Sequence, residues 1–187
     1  EPDELYGRTD FIDHLWRQIS GNNILLLAPR RFGKTGVMRH VLLKPQPGYT
    51  PIYMELEDVD SPQEFVCRLT RALLENDHLR RFLQGAKGLP DKIMEWTHEH
   101  FDEVGFESAK VKFKQSLAEN WHDPARRLLR HLEKCDQTVV FILDELPAML
   151  ETIIDKKGEN TAKDFMAWFR AARLQQKDQL RRHRFIV

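Results

Sequence analysis

Several common markers are scarce in this chain of 187 residues, and each scarcity narrows what it can be. Cysteine occurs only at Cys67 and Cys135, far apart and outside metal-ligand spacing. That excludes a disulfide framework and reads as reduced thiols in a cytoplasmic protein. No apolar run approaches the roughly 18 residues that cross a bilayer, and no signal peptide opens the chain, so no membrane partner is expected. Neither sign of charge dominates: 29 Lys and Arg balance 29 Asp and Glu. Such a balance gives no overall pull toward nucleic acid or anionic lipid. Internal repeats and low-complexity stretches are missing. A hydrophobic content of 41% is enough for one sizeable core, so one domain is the expectation on length. The chain opens on Glu1 rather than methionine, and residues 184–187 read as a strand cut short, so a longer polypeptide is expected.

Patterning sets out the elements. Residues 10–19 carry Phe11, Ile12, Leu15, Trp16 and Ile19 at helical spacing, behind Thr9 or Asp10 as a cap. Residues 24–27 are a continuous apolar run, as expected of a strand buried on both faces. A loop over 28–33 and a helix from about 33 to 43 follow. Residues 51–56 read as a second strand. Ser61, Pro62 and Glu64 signal a helix start, and that helix runs to about residue 83. Residues 84–121 are broken by Gly85, Gly88, Pro90 and Gly105 and carry Trp96, Phe101, Phe106, Phe113 and Trp121. They are expected to be a helical insertion or connecting region. A helix over 123–134 has Asp123 as its cap and Pro124 first. Residues 138–143 form a fully apolar strand, 161–176 an amphipathic helix with Phe165, Trp168 and Phe169, and 184–187 a further strand. Alternation of strands and helices implies a mostly parallel sheet covered on both faces.

The central motif is APRRFGKT: Ala28, Pro29, Arg30, Arg31, Phe32, Gly33, Lys34 and Thr35, followed by Gly36. It fits G-x-x-x-x-G-K-[ST] except for Ala28 in place of the first glycine, between an apolar strand and a helix. Alanine tolerates positive φ poorly, so the loop entry must use ordinary backbone there. A triphosphate needs converging donors, and the free amides and dipole at a helix start supply them. Gly33 allows close backbone approach. Lys34 reaches the β- and γ-phosphates as a point charge, and the Thr35 hydroxyl is a magnesium ligand.

The second motif ends the apolar run 139–143 in Asp144 and Glu145. Ligands bind at the carboxyl ends of strands in open α/β sheets. Asp144 is expected to hold Mg²⁺ beside Thr35, and Glu145 to direct the attacking water. Adjacent carboxylates are costly without a cation, which argues for the metal. The strand at 51–56 lies between the two motif strands in sequence, a spacing that suits the ATPase branch, where an extra strand separates them. An N-K-x-D motif is missing, which favours ATP over GTP.

These residues, with Tyr6, Gly7, Arg8, Thr9 and Asp10 ahead of the first helix, resemble the archaeal-type ATPases of the AAA+/STAND group over roughly 5–60 and 136–187. Thr9 stands where that group usually has glutamate, and Ala28 where it has glycine. The resemblance implies that Tyr6, Gly7 and Arg8 pack beside the adenine. It also implies a sensor residue after the next strand and a lid beyond it, past the last residue here.

The expectation is therefore one P-loop ATPase domain over 1–187, an α/β three-layer P-loop NTPase sandwich with a mostly parallel sheet, truncated at its C-terminal end. It binds ATP with Mg²⁺ through residues 28–36 and hydrolyses it, with Lys34 and Glu145 catalytic and Thr35 and Asp144 on the metal. Turnover is coupled to an appended domain or an unidentified protein partner. The alternatives are an ATP-binding switch or scaffold with little turnover, and a DNA-associated loader, which the net charge does not support. Weaker features read as structural. His98, His100 and His122 lack compact metal spacing. The basic run 181–184 reads as a polar edge, and Glu55, Glu57 and Asp58 as a solvated loop.

Overall fold

The computed structural model describes residues 9–27, 33–85, 113–118, 120–174 and 183–187. Its helices are α1 (Thr9–Ile19), α2 (Lys34–Leu43), α3 (Pro62–Glu75), α4 (Asp77–Gln84), α5 (His122–Leu132), α6 (Leu146–Lys157) and α7 (Glu159–Leu174). Its strands are β1 (Tyr49–Glu55), β2 (Thr138–Asp144) and β3 (His183–Ile186), all parallel, in the order β1-β2-β3. Among the described residues no helix is long and apolar enough to cross a membrane.

The central strand explains the layering. β2 is apolar from Val139 to Leu143, and its alternate side chains enter two separate cores. Val139, Phe141 and Leu143 meet α3 to α7, together with Ile52, Met54 and Phe185. Val140 and Ile142 meet α1 and α2 through Ile12, Leu15, Trp16, Ile19, Val37, Met38 and Val41. Strands buried on both faces lose the polar alternation of a half-exposed sheet, and this is the pattern β2 shows. The chain is thus α/β, with helices on both faces of a small parallel sheet.

The apolar run at 24–27 departs from expectation. It lies at the sheet margin beyond β3, held by Ile24 N to Phe185 O (2.7 Å), Leu26 N to Val187 O (2.7 Å) and Val187 N to Ile24 O (3.0 Å). Ile24 and Leu26 pack on the α1–α2 core, whereas Leu25 and Leu27 are 63% and 82% exposed. Covering one face of an edge segment leaves every second side chain outside, so this run is half-buried. The separating strand also differs. The strand between 24–27 and β2 is β3, and β1, which precedes β2 in sequence, lies on the far side.

Other boundaries shift for local reasons. The helix expected to run from 61 to 83 breaks at Asn76. That residue is extended, and its side-chain oxygen accepts from His78 N and Leu79 N, both at 3.1 Å, which starts α4. Helix α5 begins at His122, ahead of the expected Asp123 cap, and Asn120 Oδ1 accepts from Asp123 N. Helix α6 was not foreseen; Pro147 in its first turn and Leu146, Met149 and Ile153 on one face mark it. Of the expected insertion at 84–121, residues 86–112 and 119 lie outside the described residues. Phe113, Leu117 and Trp121 are buried in the larger core, and Trp121 meets Trp168 edge-on at 5.1 Å.

The turn carrying Phe113 is also tied down by charge. Lys114 Nζ lies 3.2 Å from both Asp60 and Glu64, and Lys156 stands 3.8 Å from Asp60. Burial pushes the Asp60 carboxyl up, but hydrogen bonds from Ser61 and Lys114, with the charges of Lys114 and Lys156, outweigh it and hold the group below its usual range. Burial pushes the Lys114 ammonium down, and its bonds to Asp60 and Glu64 more than reverse this. The cluster therefore stabilises the fold fully between the ordinary values of 3.8 and 10.5. Its Asp60 share is lost as pH falls through the depressed folded value, and its Lys114 share as pH rises through the raised one. Lys114→Met should lower the stability read by urea unfolding at neutral pH by about 1–2 kcal/mol and flatten its acid and alkaline limbs. An unchanged midpoint would count against a stabilising role.

Candidate functional site

The site forms where β2 ends and α2 begins. Gly33 precedes α2 with φ 80° and ψ 24°, a left-handed conformation that favours glycine. The turn aims the first amides of α2 outward. Gly33 has no side chain with which to cap them and the first turn holds no acidic residue, so among the described residues α2 itself supplies no counter-charge to its positive end. Its first two residues, Lys34 and Thr35, point at the end of β2.

There they meet Asp144, which is 4% exposed. Lys34 Nζ is 3.1 Å from Asp144 Oδ1, and Glu145 N donates to the same oxygen at 3.1 Å. Thr35 Oγ1 donates to Asp144 Oδ2 at 3.3 Å, and Tyr53 Oη donates to it at 3.1 Å. Each carboxylate oxygen thus receives two donors: an ammonium and a backbone amide on Oδ1, and two hydroxyls on Oδ2. Burial pushes the Tyr53 phenol up, and the charge of Asp144 and the hydrogen bond to it push the same way, to about 12. Tyr53 therefore remains a donor through the physiological range.

Glu145 follows at φ 59° and ψ 33°, and it is exposed. It is the one non-glycine residue of positive φ among those described. A glutamate held there is strained, and such strain persists where the surrounding structure fixes it. Leu143 below and Leu146 beyond are both buried, which pins the turn and projects the Glu145 side chain into solvent beside Asp144.

Of the residues singled out in the sequence, Gly33, Lys34, Thr35, Gly36, Asp144 and Glu145 gather at this point. Tyr6, Gly7 and Arg8, and Ala28, Pro29, Arg30, Arg31 and Phe32, lie outside the described residues, as do His98 and His100. Asp58 is engaged by both terminal nitrogens of Arg68 at 2.6 and 2.7 Å. Of the basic run 181–184, residues 181 and 182 lie outside the described residues, and Arg184 donates to Ile19 O and Ser20 O at the end of α1, both at 3.1 Å, a structural use of that side chain. His122 pairs with Asp164 at 2.8 Å. Tyr53 was missed. Its only signal is a polar-tipped aromatic near the carboxyl end of a strand, and its meaning depends on β1 pairing with β2, Tyr53 opposite Ile142.

Comparison of the chain with models of protein families, with characterised proteins and with solved structures finds no match in any of the three. The function must be argued from the site.

The two left-handed residues make opposite predictions. Gly33→Ala should cost about 1–2 kcal/mol in urea unfolding, because a side chain is forced into a disfavoured conformation. Glu145→Gly should gain about 0.5–1 kcal/mol by releasing the same strain, less the entropy glycine adds to the unfolded chain. Loss of stability on Glu145→Gly would show that the turn is unstrained.

Proposed function

We propose that this chain binds ATP with Mg²⁺ at the start of α2 and hydrolyses it. The observation that carries the reading is the meeting of Lys34 and Thr35 with Asp144, across 109 residues in the case of Thr35. A helix start, an ammonium group, a hydroxyl and a buried carboxylate converge at the carboxyl end of a parallel strand.

The residues fit the ion. Thr35 Oγ1 and Asp144 Oδ2 lie 3.3 Å apart. Adjacent ligands of an octahedral Mg²⁺ with bonds of about 2.0–2.1 Å stand about 2.9 Å apart, so a small closure suffices. Thr35 and Asp144 would hold the metal. When bound, Mg²⁺ offsets the negative charge on the β- and γ-phosphate oxygens. Lys34 then exchanges its carboxylate partner for phosphate oxygens, and the outward amides of α2 receive the rest of the polyanion. Tyr53 keeps Asp144 in place. Glu145 orients a water whose oxygen attacks the γ-phosphorus, with ADP leaving on the opposite side. In this reading residues 28–32 would complete the cradle, and the resemblance alone implies that Tyr6, Gly7 and Arg8 would pack beside the adenine.

The same reading takes residues 1–187 as one P-loop ATPase domain, a three-layer sandwich, with turnover coupled to an appended domain or a protein partner. The strand order supports it. With β3 between the 24–27 segment and β2, one strand separates the two motif strands, the arrangement that suits the ATPase branch.

Titration calorimetry with Mg-ATP and a phosphate-release assay test the proposal together. Lys34→Ala should weaken ATP binding at least about tenfold, the loss of a charge-assisted contact. Glu145→Gln should bind ATP like the parent and release phosphate about 10²-fold more slowly or less. Binding without phosphate release in the parent chain would make the site a nucleotide-dependent switch. Unchanged affinity in Lys34→Ala would refute the nucleotide site itself.

A further inference from the structure

A second constellation lies at the opposite end of β2. Its seven residues span about 20 Å at about 3.3 Å each, so a group beside Thr138 is remote from Asp144. Here His78, in the first turn of α4, faces Cys135 and Asp136, in the turn that joins α5 to β2. Their donor atoms all lie within 4.8 Å of one another. His78 Nε2 is 2.9 Å from Asp136 Oδ1 and 3.7 Å from Cys135 Sγ, and Cys135 Sγ is 3.5 Å from Asp136 Oδ1.

We propose that His78, Cys135 and Asp136 form a zinc site with one coordination position left for water. The distances are the first argument. With Zn–S of about 2.3 Å and Zn–N or Zn–O of about 2.0–2.1 Å, a tetrahedral ion sets its donors about 3.6 Å apart on sulfur edges and about 3.3 Å apart on the nitrogen–oxygen edge. The triangle seen here is within a few tenths of an ångström of that shape.

Donor chemistry is the second argument. A thiolate, a carboxylate and a neutral imidazole balance a dication. Sulfur with imidazole selects zinc over magnesium or calcium. On binding, Cys135 releases its thiol proton to solvent and forms a sulfur–zinc bond.

Support around the ligands is the third argument. Backbone amides of Asp136 and Gln137 donate to the Cys135 sulfur, and Asn76 fixes the turn that carries His78. Cys135 is fully buried, which suits a small ion and excludes a bulky electrophile, so a nucleophilic thiol is not the reading. The His78 and Asp136 side chains are 37% and 76% exposed and open the remaining position to water.

The test uses the chain without a polyhistidine tag. Zinc is titrated against a chromophoric chelator, and cobalt is then used as a spectroscopic probe. The parent chain should take up one zinc ion per chain, and its cobalt form should show a near-ultraviolet thiolate charge-transfer band. Cys135→Ser should abolish the band. His78→Gln, a change at a half-exposed side chain, should weaken zinc by more than the roughly tenfold that losing a supporting hydrogen bond costs. Cys67→Ser should change neither. Absence of zinc uptake by the parent, or a band that survives in Cys135→Ser, would overturn the proposal and leave an ordinary His78–Asp136 hydrogen bond over a buried thiol. Neither readout involves nucleotide, so the outcome is independent of the proposed ATP site.

Discussion

Asp144 sits at the end of a strand whose preceding five residues are all buried, and a carboxylate at that depth must be met by donors or lose its charge. Removing one partner of a buried pair costs several kcal/mol, because the remaining charge is left uncompensated. Four donors prevent that here, and they come from three places: the first turn of α2, the neighbouring strand β1, and the backbone of the turn that follows. The carboxylate thereby fixes where α2 begins relative to the sheet.

This has a consequence for ligand binding. In the structure Asp144 occupies the position toward which an anion would be drawn, since it neutralises Lys34 and faces the positive end of α2. In the proposed cycle an incoming polyanion competes with Asp144 for Lys34. Asp144 and Thr35 would resolve the competition by holding a divalent cation, which would leave the Lys34 ammonium free for phosphate. Metal and nucleotide would then bind cooperatively, for a local electrostatic reason that needs no large rearrangement.

Much of the backbone arrangement around Asp144 was legible in the sequence, for reasons that separate into local and non-local. The strand 138–144 was readable because burial on both faces leaves a continuous apolar run, and the start of α2 because glycine, lysine and threonine after an apolar run serve one local geometry. Non-local facts were hidden. That β3 rather than β1 separates the 24–27 segment from β2 depends on the path of the chain, to which side-chain periodicity is blind. Tyr53 acquires meaning only through the pairing of β1 with β2. Leu25 and Leu27 look like core residues in sequence and lie exposed, because an edge position is a property of the sheet and not of the segment. Cys135 appeared isolated because His78, its partner in space, is far away along the chain. The left-handed backbone at Glu145 is likewise set by the packing of Leu143 and Leu146 on either side.

The most direct measurement of the central claim is ATP affinity with and without Mg²⁺ in the parent chain and in Asp144→Asn. The account predicts that Mg²⁺ tightens ATP binding in the parent. It predicts that metal-free ATP binds Asp144→Asn more tightly than the parent, because Lys34 is no longer held by a carboxylate, and that Mg²⁺ then adds little. Equal tightening by Mg²⁺ in both chains, or weaker metal-free binding in Asp144→Asn, would contradict it.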